Sequence, residues 1–543
     1  MRPRSKATAI REHLTIPRRG IPAVHGHELL FAVQIDIRQA PVGSCASRDA
    51  DLIALKARKR PAKESNAHSC SVAFGEAAVT SRLEYRRTLP PGLHDQGGSC
   101  FTLIVSFRSA SSTPQMSRRC SGICPVVGRR RVSALRQGCK FRRLGYPARV
   151  DKQFAVAGHW SKEFDERAIQ DWAEALRARL GLPVSLGLVF VSPRLFRHAP
   201  ALLEILRVHA RIPLLVGCSS QGLIAGGEEI EQNAGFALGL YSLPGAKLEA
   251  FHFTQAQVEE AAGPDYWRSR TGIGAGQTNG WLAFLDPYHL DSEGWLRSWN
   301  EAYAPLPVLG GLASADQPEP QCQVYLNGDV HEEGGVALSV GGEIGLAGVT
   351  SQGCTPIGET WTLTRVEQNI IHEIANRPAY EVLAETFSQL TPEEQRQARG
   401  NLFIGLVVNE YLEEFHRGDF LVRNLLGADP RSGSIAIGAL ARAGQTVQFQ
   451  RRSAAAATED MNELLGRAAE RLRGHTLYGG CLCCCNGRGR GLFDQPNHDA
   501  SLVQRHLGPL GLAGFFCNGE IGPVGERNFL HGYTASLALF FRK

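Results

Sequence analysis

The chain has no apolar run of about 18 residues, so nothing in its 543 residues reads as a membrane-spanning helix, and no membrane partner is expected. No secretory signal is expected either. Met1 is followed by RPRSKATAIREHLTIPRRG, a basic start without the apolar run of about 7–15 residues that export requires. Acidic residues are scarce at one end. Residues 1–150 carry 27 Lys+Arg against 9 Asp+Glu, whereas residues 151–543 carry 32 against 44. The formal charge of +6 therefore hides an acidic main body. That body offers no cationic face for counterion release, so no nucleic-acid partner is expected. Methionine is nearly missing: after Met1 only Met116 and Met461 occur.

Residues 1–150 also show little sustained period of 2 or 3.6, and short apolar words such as LLFAVQI and FTLIVSF have no partners. They are expected to be a basic, low-order leader. The same composition fits upstream sequence read through from a start placed too early, with a true start at a non-methionine codon near Val150.

Motifs for several chemistries are missing. No G-x-x-x-x-G-K-[ST] loop and no G-x-G-x-x-G fingerprint occurs, and no G-x-S-x-G elbow surrounds Ser219 or Ser220. Residues 151–543 hold eight cysteines, four of them bunched as C-x-C-C-C in GGCLCCCNGRGRG (479–491), and no second C-x₂₋₄-C pair follows. This spacing is wrong for a structural zinc site, so neither metal nor cofactor is expected. It also does not suit disulfides across loops, and a reducing, cytoplasmic setting follows. In a strand, Cys481, Cys483 and Cys485 share one face and Cys484 takes the other, as in a buried strand that ends in a site loop.

What is present is repetition. An apolar run, a polar loop, an amphipathic helix and a second apolar run occur three times: LPVSLGLVFVSP to IPLLVGCSSQG, GWLAFLDP to LPVLGGLASAD, and YGGCLCCCNGR to LGLAGFFCNGE. Each copy reads as a strand–helix–strand crossover and precedes a further strand-like stretch, at 233–243, 334–350 and 532–541. Residues 366–398 read as helical, with Thr391 capping a surface helix that begins at Pro392. The expected fold is α/β, with mixed sheets and internally repeated strand-helix-strand units in two domains, 151–350 and 351–543.

Clefts in such sheets open at the carboxyl ends of the strands, where small residues let backbone approach a ligand. The main candidate ligand residues are Arg423, Cys485, Asn486, Arg488, Cys517, Asn518 and Glu520. Arg423 lies in an apolar word, where it can clamp a carboxylate or join a structural ion pair. Glu520 can meet an ammonium or Arg423. Cys218, Ser219, Ser220, Ser314 and Asp316 form a second set of tips. His498 and Asp499 read as a helix start, with Asp499 as the cap. No catalytic residue is assigned.

The words VGCSSQGLIAGGEE, LGGLASAD, RGDFLVRNLLGADPRSGSIAIGA, GQTVQFQRR, CNGRGRGLF and GFFCNGEIGPVGERNFLHGYT resemble the FIST family over roughly residues 151–543. The resemblance implies an amino-terminal and a carboxy-terminal FIST domain in stand-alone form, since no kinase, cyclase, chemoreceptor or F-box pattern accompanies them. It implies a sensory, signal-transducing protein that binds a small polar ligand such as an amino acid, with a signalling protein as possible partner. Cys485 and the Asn-Gly-Arg-Gly after it match the family's motif. A thiol-dependent enzyme using Cys485 and a scaffold whose partner carries the signal are the competing classes.

The charge split generates a first prediction. Limited proteolysis should remove the leader and leave a stable fragment beginning near residue 150. A leader protected as strongly as the rest would refute the low-order reading.

Overall fold

In the computed structural model, each copy of the repeat folds as a parallel strand pair bridged by a helix. The structure describes residues 153–232, 235–315 and 321–543; the leader and Asp316 lie outside them. Strand Leu186–Val191 pairs parallel with Leu215–Ser219 across helix Ala199–His209. Gly280–Leu285 pairs with Val308–Leu312 across Ser292–Tyr303, and Leu477–Cys485 with Leu512–Cys517 across His498–Leu507. One glycine in each second strand permits the close approach. A Cβ on Gly217 would lie 1.7 Å from the Val189 carbonyl oxygen, on Gly310 2.0 Å from that of Ala283, and on Gly514 1.9 Å from that of Leu482. These three positions are therefore equivalent.

Each pair sits in a six-stranded sheet of the same order: an outer strand, the returning strand, the parallel pair, and a hairpin. The hairpin always comes from a different copy. Leu223–Ala225 and Glu228–Ile230, which follow the first copy, complete the sheet of the third. Val324–Leu326 and Asp329–His331, which follow the second, complete the sheet of the first. Glu520–Val524 and Arg527–His531, which follow the third, complete the sheet of the second. The exchange is cyclic. Strands from either side of residue 350 thus share two of the sheets.

The three sheets turn their inner faces to a common core, in which Phe190, Phe284 and Phe515 meet with ring centroids 4.6–5.8 Å apart. Helices cover the outer faces. Glu166–Leu180 shows how the sequence sets one: Asp165 accepts from the Ala168 N–H, Gly181 ends the helix in the left-handed region, and Ile169, Ala173, Leu176 and Leu180 form the buried stripe. The capping residue expected at Thr391 is present, with Glu394 completing a capping box before Pro392–Ala398.

A seven-stranded sheet is inserted into the third copy, between strand Ile344–Ser351 and helix Ala454–Arg471. Cys354–Glu367 pairs at one side with Thr446–Arg452 and at the other with Ile370–Ile374, so the sheet closes into a small barrel. Ile357, Leu363, Ile404 and Phe449 are among the residues that fill it. The sequence reading did not anticipate this barrel, and it took residues 366–398 as helical throughout. In the structure, residues 366–378 are strand and turn, with helices from Ala379 onward. Ile371 and Ile374 are the buried positions of their strand, and this spacing of three imitates a helical stripe.

Gly514→Ala should force the parallel strands apart and cost on the order of 2 kcal/mol or more in urea unfolding. Gly466→Ala, on a helix where an added Cβ meets nothing, should instead stabilise by about 0.5–1 kcal/mol. Equal effects of the two would contradict the close-approach account.

Candidate functional site

The three copies present equivalent tips. Ser192 donates its backbone N–H to the Gly235 carbonyl at 2.8 Å, Asp286 to Gly334 at 2.8 Å, and Cys485 to Thr534 at 3.0 Å. In each case the strand end is tied to the entry of the returning strand. The chemistry of the three tips then diverges.

The first two tips are closed. Ser220 Oγ donates to the Phe516 carbonyl at 2.9 Å, and Ser314 Oγ donates to the same oxygen at 2.5 Å. Ser314 Oγ also accepts from the Gln221 N–H, and Ser219 Oγ accepts from the Gln323 N–H, both at 3.1 Å. All three serines are fully buried, as is Cys218, whose thiol is pushed well up by burial. These residues do converge, but as a hydrogen-bonded seam between strand ends. Asp286, at a position the sequence reading did not single out, accepts from the Tyr288 and His289 N–H groups and lies 2.7 Å from His289 Nδ1.

The third tip is open. Cys481 and Cys483 face the common core and Cys484 faces the outer helices, so these thiols act as small apolar packing groups. Burial pushes the Cys483, Cys484 and Cys517 thiols well above their ordinary range. Cys485 is half-buried at the strand end, where the Gly487 N–H approaches its Sγ at 3.5 Å. Glu520 lies fully buried behind it. Its Oε1 accepts from Cys517 Sγ at 3.2 Å and its Oε2 from the Thr534 N–H at 2.9 Å, and the Cys485 thiol lies beside it. Burial raises the Glu520 carboxyl to about 8, so it holds its proton at neutral pH. Burial, with Glu520 next, drives the Cys485 thiol up as well, and no thiolate forms there near neutrality.

In front, Asn486 Nδ2 donates to Asn518 Oδ1 at 2.7 Å and bridges two neighbouring strand ends. Asn518 is exposed and lies beside Tyr288, which brings the second copy to this rim. Asn486 Oδ1 is buried without a hydrogen-bond partner among the described residues. Tyr533, between the returning strand and the barrel, has φ of 64°, a left-handed conformation that is costly for a bulky side chain. Its ring packs on Phe403 of the barrel at 4.4 Å and beneath the Arg452 guanidinium at 4.7 Å.

Arg488 stands at the back of the same turn. Its Nε and Nη2 donate to Asp499 Oδ2 and Oδ1 at 2.6 and 2.8 Å, a bidentate pair in which both side chains are buried. Asp499 is thus the partner of Arg488 and not the helix cap; Asn497 holds the N-cap position of His498–Leu507. The Arg488 guanidinium holds the Asp499 carboxyl far below the usual carboxylate range against the penalty of burial. His498 completes the group, 3.0 Å from Asp499 Oδ1 and 2.9 Å from Thr458 Oγ1. It is not a partner of Cys485.

Of the residues read from the sequence, Cys485, Asn486, Arg488, Cys517, Asn518 and Glu520 gather at this tip. Arg423 forms no ion pair with Glu520 among the described residues. It bonds Glu293 at 3.2 Å in the first turn of helix Ser292–Tyr303, a structural link between barrel and second copy. Sequence reasoning missed Arg452 and Tyr533. The words GQTVQFQRR and HGYT held them, but nothing in either word marks a strand end that folds over another tip. Among the described residues no group of three His, Cys, Asp or Glu side chains could hold a metal ion, and no helix is long and apolar enough to cross a membrane.

Comparison with known proteins places the chain in a family. Uncharacterized protein Rv0628c of Mycobacterium tuberculosis (strain ATCC 25618 / H37Rv) is 40% identical over 328 residues, 60% of this chain and 83% of that protein. Uncharacterized protein Mb0898c of Mycobacterium bovis is 39% identical over 330 residues, again 60% of this chain and 83% of that protein. The FIST N domain matches residues 185–377 and the FIST C domain residues 379–523, in tandem. The chain therefore belongs to the FIST family, with a FIST N domain followed by a FIST C domain.

Proposed function

We propose that the third tip is the ligand site of a sensory, signal-transduction protein, and that the ligand is a small polar metabolite of the amino-acid class. FIST domains are regarded as sensory domains, which sets the general role. The observation that carries the site is the contrast among equivalent tips. Two are sealed by serine hydroxyls, whereas the third combines a buried, unpartnered amide oxygen on Asn486, the exposed Asn518 amide and the half-buried Cys485 thiol. An unsatisfied buried acceptor is costly and is relieved by a ligand N–H. Glu520 lies behind with no cation paired to it among the described residues, so an approaching ammonium would find a carboxyl able to ionise against it.

The same observations weigh against a thiol enzyme. A nucleophilic Cys needs its thiolate and an adjacent base. Cys485 has its thiol driven up instead, and His498 is committed to Asp499 and Thr458.

A thermal-shift screen of the full chain with the common amino acids tests the proposal. At least one should raise the melting temperature saturably, since a ligand at one hundred times its Kd adds about 2.7 kcal/mol to a folded state it binds selectively. Asn486→Ala should weaken that ligand by about tenfold or more while leaving the unliganded melting temperature little changed. A folded protein that none of them stabilises would remove the amino-acid reading.

The raised Glu520 carboxyl gives a pH prediction. Its ordinary value is 4.5 and its folded value about 8, so the folded state binds the extra proton in between. Its contribution is full below pH 4.5 and is lost as pH rises through about 8. Glu520→Gln should therefore flatten the decline in stability between these limits and be relatively most favourable near pH 8. An unchanged slope would mean that Glu520 does not titrate there.

A further inference from the structure

We propose that a carboxylate, the anionic end of the ligand, binds between the guanidinium groups of Arg452 and Arg488, beneath the base of the barrel. This rests on the third tip being the ligand site. Arg452 Nε and Nη1 and Arg488 Nη1 are buried donors without a hydrogen-bond partner among the described residues. Arg488 is 1% exposed. Its other nitrogens are taken by Asp499, which leaves Nη1 free to donate elsewhere. Arg452 is held by the face of Tyr533 and not by a carboxylate.

The two groups converge from different elements. Arg452 ends the barrel strand Thr446–Arg452 and stands directly across from Cys354, the first residue of the barrel. Arg488 belongs to the tip, where its backbone N–H donates to the Cys485 carbonyl at 2.8 Å. Both guanidinium groups bear on the Cys354 thiol. Backbone without side chain lies against each of them. A Cβ on Gly487 would stand 2.9 Å from Arg452 Nη1, and a Cβ on Gly353 3.2 Å from Arg488 Nη1. The glycines keep those donors from being covered.

Charge selects the class of anion. Arg488 is paired with Asp499, and Asp460 keeps its charge while Ser351 and the Gly353 N–H bond it, so Arg452 is the cation here with no carboxylate bonded to it among the described residues. A monoanionic carboxylate matches it, whereas a phosphate dianion would set a second negative charge against Asp499 and Asp460. Guanidinium donors also suit a planar carboxylate. The unpartnered Asn486 oxygen, in the same turn two residues before Arg488, is the acceptor offered to the ligand's donor end, so the proposed site serves both poles of a zwitterion.

The test uses the full chain and sodium acetate as probe, with sodium chloride at equal ionic strength, inorganic phosphate and methylammonium chloride as separate arms. Acetate should raise the melting temperature saturably above the chloride baseline, and phosphate should do so less. Arg452→Gln, folded by circular dichroism, should raise the acetate half-saturation concentration about tenfold or more, and Arg452→Lys should restore part of the affinity. Acetate acting no differently from chloride, phosphate outdoing acetate, or a folded Arg452→Gln with half-saturation within about threefold of wild type would each overturn the proposal. An amino acid that stabilises Arg452→Gln as well as wild type removes this subsite and leaves the ligand site standing. Acetate binding that depends on Arg452, in a protein no amino acid stabilises, supports the anion subsite and removes the amino-acid reading.

Discussion

Each of the three sheets is finished by a hairpin that belongs to another repeat, and the remaining features depend on that exchange. A sheet edge with unpaired N–H and C=O groups must be covered or paired. Here the edge of Leu512–Cys517 is paired by Leu223–Ala225, the edge of Leu215–Ser219 by Val324–Leu326, and the edge of Val308–Leu312 by Glu520–Val524. No repeat satisfies its own backbone. A cut between the two matched FIST regions would strip a hairpin from two sheets at once and expose both edges. The two domains are units of sequence, while the packed unit is the closed cycle of three repeats. The common core, with one phenylalanine ring from each sheet, follows from the same closure.

The exchange also places residues of the first repeat in direct contact with the site of the third. Glu229, on the hairpin Glu228–Ile230, accepts from the Ala500 N–H at 2.8 Å, and its own N–H donates to Asn497 Oδ1 at 2.8 Å. It thereby caps the start of the helix that carries Asp499. Burial and the neighbouring Asp499 push the Glu229 carboxyl up to about 7. Glu231 of the same segment accepts from the Arg490 N–H. Any change in how Arg488 holds Asp499 is therefore felt one contact away by the hairpin of another repeat. A buried bidentate pair of this kind is costly to break from one side, about 3–5 kcal/mol, which favours two discrete arrangements over gradual adjustment. For a sensory protein, this is a short physical route from a bound ligand to the packing of the whole cycle.

Much of this was legible in the chain. The three strand–helix–strand words stood out because parallel pairs need a crossover, and their glycine-bearing second strands gave each tip away. GGCLCCCNGRGRG resolved as expected, into a buried strand that ends in a turn, because cysteine alternation and the lack of a second C-x₂₋₄-C pair both argued for packing. What escaped was everything that depends on long-range pairing. The hairpin segments carry no reading in the sequence, since three-residue strands have too little periodicity to announce a different sheet. The barrel escaped because Ile371 and Ile374 imitate a helix. Arg423 interrupts an apolar word, which fits a ligand clamp and a structural ion pair equally. Its partner, Glu293, lies 130 residues away on another element, and no local pattern reveals such a pair. Arg452, with no carboxylate partner, sits in a polar word that draws no attention.

The comparison of the three strand ends explains why only one tip is open. In a cyclic array of three repeats, the strand ends crowd toward the common axis, and buried polar groups there must be satisfied. Ser220 and Ser314 achieve this by both donating to the Phe516 carbonyl, a solution that closes two tips with the backbone of the third. The third tip cannot use the same device, because its own carbonyl is the acceptor. It is also where the barrel is inserted. The insertion brings Arg452 and Phe403 over Tyr533 and holds that residue in the left-handed region. Strain of about 1–3 kcal/mol persists only where surrounding contacts over-determine it, and such positions cluster at ligand sites. The barrel thus sets one of three related strand ends apart, with donors contributed by an element that the other two repeats lack.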